Sequence, residues 1–160
     1  MNKATMQVMT STGKDDWETP STLFQRLDSE FGFTIDVCAT HQNTKCPRYY
    51  TEEDDGLAQD WGGETVWCNP PYSRDGKQDL WVKKAFEESQ KPGTIVVMLI
   101  PARTDTARFH EYIKGKAEIR FIRGRLVFEI DGKPVLDKNG RPQGAPFPSM
   151  LVIWGGKNDE

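Results

Sequence analysis

The 160-residue chain is 36% hydrophobic and 28% charged, with a net charge of -3 and a mean hydropathy of -0.67. That is enough apolar content for one compact domain and little for a second. No apolar run approaches the roughly 18 residues that cross a bilayer, the N-terminal stretch lacks an apolar signal region, and three cysteines (Cys38, Cys46, Cys68) are too few and odd in number for a disulfide framework. A membrane protein, a secreted mini-scaffold and a collagen-like repeat are excluded as readings, and a reducing cytoplasm is the expected setting. Charge is uneven: twelve acids face three bases between Asp15 and Glu64, and ten bases face six acids between Arg103 and Arg141. On charge alone, nucleic-acid binding and plainly solvated faces stand equal.

In chain order, residues 1–16 are polar and aperiodic and are expected to be a flexible tail; 17–156 are expected to form one domain and 157–160 a short second tail. Thr19-Pro20 reads as a helix start, with Thr19 the N-cap and Pro20 the first helical residue. Leu23, Phe24, Leu27 and Phe31 continue it at helical spacing, and Gly32 stops it. Phe33–Cys38 reads as a short strand, residues 39–64 as irregular with Arg48–Thr51 a weak strand, and Thr65–Cys68 as a strand ending in Asn69-Pro-Pro-Tyr72. Asp79–Lys91 suits a helix closed by Pro92-Gly93. Thr94–Pro101 is a nearly continuous apolar run, the signature of a strand buried on both faces. Asp105–Lys114 reads as a helix, and Glu118–Ile122, Arg125–Ile130 and Met150–Trp154 as strands, with a hairpin turn at Asp131-Gly132. This alternation describes an α/β class with an open sheet.

Val66–Tyr72 carries the most chemistry. In an open α/β sheet, ligands bind at the carboxyl ends of the strands. Pro70 and Pro71 stiffen the backbone and remove donors, and Asn69 offers a neutral acceptor oxygen. Two converging acceptors suit an exocyclic NH2 group, and Tyr72 offers a ring on which a planar base can stack. A rigid turn after a strand is the plainer reading of the same four residues; the flanking strand and helix favour the motif.

Asn69-Pro-Pro-Tyr72 resembles the catalytic motif of amino-group methyltransferases that use S-adenosylmethionine, and the wider chain resembles phage-type DNA N6-adenine methyltransferases. The resemblance is carried by Trp17-Glu-Thr-Pro20, Ile35-Asp-Val-Cys-Ala-Thr40, Asp55-Gly-Leu57 with Asp60-Trp61, Trp67-Cys-Asn-Pro-Pro-Tyr-Ser73, Leu99-Ile-Pro-Ala-Arg-Thr-Asp-Thr106, Gly124-Arg-Leu-Val-Phe128 and Pro146-Phe-Pro-Ser149. It implies a Rossmann-like methyltransferase fold, with an open, mostly parallel sheet and a β-hairpin-rich C-terminal part. It also implies S-adenosylmethionine as cofactor, double-stranded DNA as partner, and a catalytic set of Asn69, Pro70, Pro71 and Tyr72. Trp17, Thr19, Pro20, Asp36, Cys38, Ala39 and Asn69 fall on the cofactor side, where a helix start would meet the cofactor carboxylate. Asp36 is equally readable as a strand-end turn residue, and Thr19 as a plain cap.

One departure stands out. No glycine occurs between Phe33 and Tyr50, so the glycine-rich loop of general methyltransferases is replaced. The short span from Asp36 to Thr65 implies a trimmed cofactor half, with Arg48–Thr51 as its second strand, Glu52 or Glu53 near the ribose and Asp55 near the cofactor adenine. Cys38, His41 and Cys46 match no common zinc spacing, and no metal is expected.

The implied mechanism flips an adenine out of the duplex and stacks it on Tyr72, with Phe147 as either a second wall or a core residue. Arg123 and Arg125 would contact phosphates or simply solubilise the surface. Base reading would fall to Arg74–Gln78 and the Asp131–Ala145 region, giving a short or relaxed target. A methyltransferase acting on a protein glutamine amide or RNA, and a catalytically silent module of the same fold, are the alternatives. A viral or prophage origin, placing the chain in a host cytoplasm, follows from the resemblance; oligomeric state is not legible.

Overall fold

The structure, a computed structural model, describes residues 17–72 and 76–156. The expected tails, together with Ser73, Arg74 and Asp75, lie outside the described residues. The sheet consists of β1 (Ile35–Asp36), β2 (Thr65–Cys68), β3 (Ile95–Pro101), β4 (Glu118–Phe121) and β7 (Ser149–Gly155), in the order β1-β2-β3-β7-β4. β1, β2 and β3 pair in parallel, while β7 runs antiparallel to both β3 and β4. Four of the five strands therefore point one way. A second, two-stranded sheet of β5 (Glu129–Ile130) and β6 (Lys133–Pro134) closes through Asp131 and Gly132, whose φ values of 56° and 76° are those of a twisted hairpin turn.

The alternation along the central strands builds a core on each face. Val96, Met98 and Ile100 of β3 join Val66 and Cys68 of β2 and Val152 and Trp154 of β7 on one side; Val97 and Leu99 join Trp67, Leu151 and Ile153 on the other. Helix α1 (Ser21–Phe31) lays Phe24 and Leu27 on the second face, and α2 (Lys77–Ser89) lays Trp81, Val82 and Ala85 on the first.

Some elements differ from the sequence reading. α1 begins at Ser21, so Pro20 is its N-cap and Thr19 makes no cap bond; the first helical bond runs from the Phe24 N–H to the Pro20 carbonyl. The cause is long-range: Glu18 exchanges both backbone hydrogen bonds with Glu129, at 2.8 and 3.0 Å, and holds the chain extended up to Pro20. The expected helix at Asp105–Lys114 is largely a π-helical turn, Phe109–Ile113, closed by the Lys114 N–H on the Phe109 carbonyl. Arg125–Ile130 pairs as a strand only at Glu129–Ile130. Arg48–Thr51 meets β1 through a single parallel bridge, Asp36 to Tyr49, so the expected second strand is no more than a fragment.

Candidate active site

β1 and β2 are parallel neighbours, in register at Asp36 and Trp67. Their carboxyl ends therefore deliver Asp36 and Asn69 side by side, and a polar cleft opens there, lined by residues that include Trp17, Thr19, Asp36, Cys38 and Asn69. These five expected cofactor-side residues converge although up to 52 positions separate Trp17 from Asn69.

Asp36 is buried, at 3% exposure. Its carboxylate accepts the Cys38 N–H on one oxygen at 3.2 Å and the Lys45 N–H on the other at 3.0 Å. Desolvation pushes its pKa up from 3.8 to about 7, against the pull of those two hydrogen bonds and the Lys45 charge. Asp36 thus folds the loop that lacks glycine. Thr40 and Asn43 finish it: the Thr40 N–H donates to Asn43 Oδ1 at 2.7 Å, and the Asn43 N–H donates to Thr40 Oγ1 at 3.1 Å. Side-chain acceptors do here what positive-φ glycines do elsewhere.

Two polar atoms beside this loop are buried without a partner among the described residues: Trp17 Nε1 and Thr19 Oγ1. A buried donor without an acceptor costs about 1–3 kcal/mol. Both residues line the cleft, so it carries an unspent N–H and an unspent hydroxyl next to a buried carboxylate. Such a set suits a ligand bearing both an acceptor and a cation.

Asn69 is pinned at both ends of its amide. Its Nδ2 donates to the Trp17 carbonyl at 3.2 Å, and its Oδ1 accepts the Tyr72 hydroxyl at 2.7 Å. Tyr72 is buried, its pKa pushed well up by burial, so the hydroxyl stays a donor. Its ring lies in a cluster with Trp17, Phe128 and Phe147, at centroid distances of 5.9, 5.5 and 5.5 Å. Phe147 and Tyr72 do not form a slot: a base between two rings needs about 7 Å, two ring-to-ring contacts of about 3.5 Å, and their planes are inclined by 36°. Phe147 is a core residue, at 9% exposure. The Pro71 carbonyl accepts Gln78 Nε2 at 3.1 Å, fixing the motif to α2, and Pro70 is buried beneath it.

Other expected residues stand apart. Pro20 caps α1 beside the cleft, and buried Ala39 donates its N–H to the Tyr50 carbonyl. Neither of these lines the cleft, nor do Glu53 and Asp55, which are exposed on the loop beyond Thr51; Asp55 spends its N–H on the Thr51 and Glu52 carbonyls and starts a 3-10 turn. Arg123 and Arg125 are exposed, with Arg125 Nη1 donating to the Ala145 carbonyl at 3.3 Å. Glu18, Asn43, Lys45 and Trp67 also line the cleft, and sequence reasoning did not single them out. The Thr40-x-x-Asn43 spacing of a side-chain-capped turn was the available signal for Asn43; Glu18 and Lys45 had none.

The family model described as DNA N-6-adenine-methyltransferase (Dam) matches residues 7–159. A DNA N-6-adenine-methyltransferase of Escherichia phage T1 is 38% identical over 121 residues, covering 74% of this chain and 49% of that protein. A DNA N-6-adenine-methyltransferase of Haemophilus phage HP1 is 32% identical over 145 residues, covering 88% of this chain and 79% of that one. The chain therefore spans about half the length of the phage T1 relative and most of the phage HP1 relative.

Proposed function

The chain belongs to the DNA N-6-adenine-methyltransferase family, and from that premise we propose that it transfers a methyl group from S-adenosylmethionine to the N6 amino group of adenine in double-stranded DNA. In this reading residues 17–156 form one methyltransferase domain of Rossmann-like type, acting in the cytoplasm of a host cell. The observation that carries the assignment is the pairing of Asn69 with a cleft holding a buried carboxylate and two unspent donors.

S-adenosylmethionine supplies an electrophilic methyl group on a sulfonium sulfur. Its amino-acid end would bring a carboxylate and an ammonium: Trp17 Nε1 and Thr19 Oγ1 would serve the carboxylate, and Asp36 the ammonium. Asn43 and Lys45 would complete the rim. A flipped adenine presents two N6 protons; Asn69 Oδ1 accepts one and the Pro70 carbonyl the other. Those bonds pull the N6 lone pair out of conjugation and aim it, so positioning rather than a strong base drives the attack. Transfer would break the sulfonium S–CH3 bond as the N6–CH3 bond forms, leaving a neutral thioether, and the surplus N6 proton would pass to solvent water. Arg123 and Arg125, both exposed, would hold phosphates.

The test is transfer of labelled methyl from S-adenosylmethionine to unmethylated DNA, with nucleoside mass spectrometry of the product and parallel incubations with RNA and with a glutamine-containing protein extract. N6-methyladenine in DNA is the expected product. Label appearing only in RNA or protein would move the substrate; cofactor binding without transfer to any of the three would make the chain a silent module.

A further inference from the structure

Three consecutive residues, Trp17, Glu18 and Thr19, touch three different parts of the molecule. The Trp17 carbonyl holds the Asn69 amide at 3.2 Å, and its ring stacks on Phe128 at 5.0 Å. Thr19, with its unpartnered hydroxyl, lines the cleft. Glu18, between them, 9% exposed and also lining the cleft, spends its carboxylate elsewhere. Its two carboxylate oxygens accept the N–H groups of Asp131 and Gly132, one each, both at 3.0 Å. Its backbone pairs with Glu129 on the same hairpin.

The β5–β6 hairpin has two residues in each strand, far too few to stand alone in water, and its turn and outer strand are exposed. Its central amides depend on one carboxylate, and hydrogen bonds to an ionised acceptor are about twice as strong as neutral ones. The residues on either side of that carboxylate line the cleft.

We propose that Glu18 is a positioning residue that couples the cofactor cleft to the Asp131-Gly132 hairpin, so that filling the cleft orders the hairpin against DNA. This rests on the function proposed above. A ligand that engages Trp17 Nε1 and Thr19 Oγ1 fixes residues 17–19, and Glu18 with them. By linkage, a duplex that holds the hairpin tightens cofactor binding by the same factor.

The experiment is amide hydrogen exchange with and without S-adenosylhomocysteine, on the wild type and on Glu18→Gln, which keeps the shape and one acceptor oxygen. In the wild type, the ligand should slow exchange both in residues 36–46 and at Asp131 and Gly132, the latter by about tenfold. In Glu18→Gln the first protection should persist and the second should vanish. Protection of 36–46 without any at the hairpin in the wild type overturns the coupling while leaving the cofactor reading intact, and this arm decides even if the variant does not fold. Equal hairpin protection in both proteins overturns the role of Glu18. No protection anywhere removes the cofactor reading and the coupling with it.

Discussion

Asp36 carries a pH-dependent penalty that can be worked from its surroundings. Burial raises its pKa from 3.8 to about 7, so between those values the folded protein keeps a proton that the unfolded chain has lost. Stability is then highest below about pH 4, falls as pH rises through that window, and has lost the whole contribution above about pH 7. Roughly three units at about 1.4 kcal/mol each amount to about 4 kcal/mol. Asp36→Asn removes the titration. It also turns an NH2 group toward one of the two amides that now donate to the carboxylate, costing about 1–3 kcal/mol. The variant should therefore be less stable than the wild type by about 1–3 kcal/mol below about pH 4, where the wild type keeps its whole contribution. Near pH 8 it should match or exceed the wild type. Urea melts of ligand-free protein followed by tryptophan fluorescence measure both differences, and comparing the two proteins cancels every other titrating group. A stability difference that stays constant from acid to alkaline pH would refute the buried-carboxylate account.

Tyr72→Phe removes the hydroxyl that occupies Asn69 Oδ1 and keeps the ring; it should lower stability by about 1 kcal/mol and change kcat/KM by less than about tenfold. Tyr72→Ala empties the buried cluster of Trp17, Phe128 and Phe147 and should lower stability by about 3–5 kcal/mol; denaturant melts compare the two variants. Gly56→Ala would drive a Cβ into the Val37 carbonyl and against Trp81. That strains the end of β1 beside Asp36 and should cost about 1–3 kcal/mol in a denaturant melt. Arg123→Ala and Arg125→Ala should each weaken duplex binding, and each should flatten the slope of log affinity against log salt by about 0.9. An unchanged slope would make that arginine a surface residue.

What could be read in the sequence was what local pattern controls. Thr65–Cys68 is the strand it reads as, the apolar run to Pro101 is the central strand, and Asp131-Gly132 is the hairpin turn. Asn69 was reachable from its place at a strand's carboxyl end, whereas Asp36 and Cys38 came from the family resemblance; all three line the cleft. Thr19 was misplaced as a cap because its geometry is set by Glu18 pairing with Glu129, 111 positions away, which leaves no local trace. The same distance hid Glu18 itself. Phe147 was ambiguous because an aromatic between two prolines fits a wall and a core equally; its packing on Tyr72 and Trp17 decides. Lys45 enters the cleft through its backbone bond to Asp36, and a backbone donor carries no side-chain signature.

The most direct test of the central claim is Asn69→Ala, assayed for both cofactor binding and methylation. Calorimetry should show S-adenosylhomocysteine binding within about tenfold of the wild type, because Trp17, Thr19 and Asp36 remain, while N6-methyladenine formation should fall by at least about a hundredfold with the loss of one preorganised acceptor. Near-normal methylation by Asn69→Ala would contradict the account, since the amine would then be held by something other than the Asn69 oxygen.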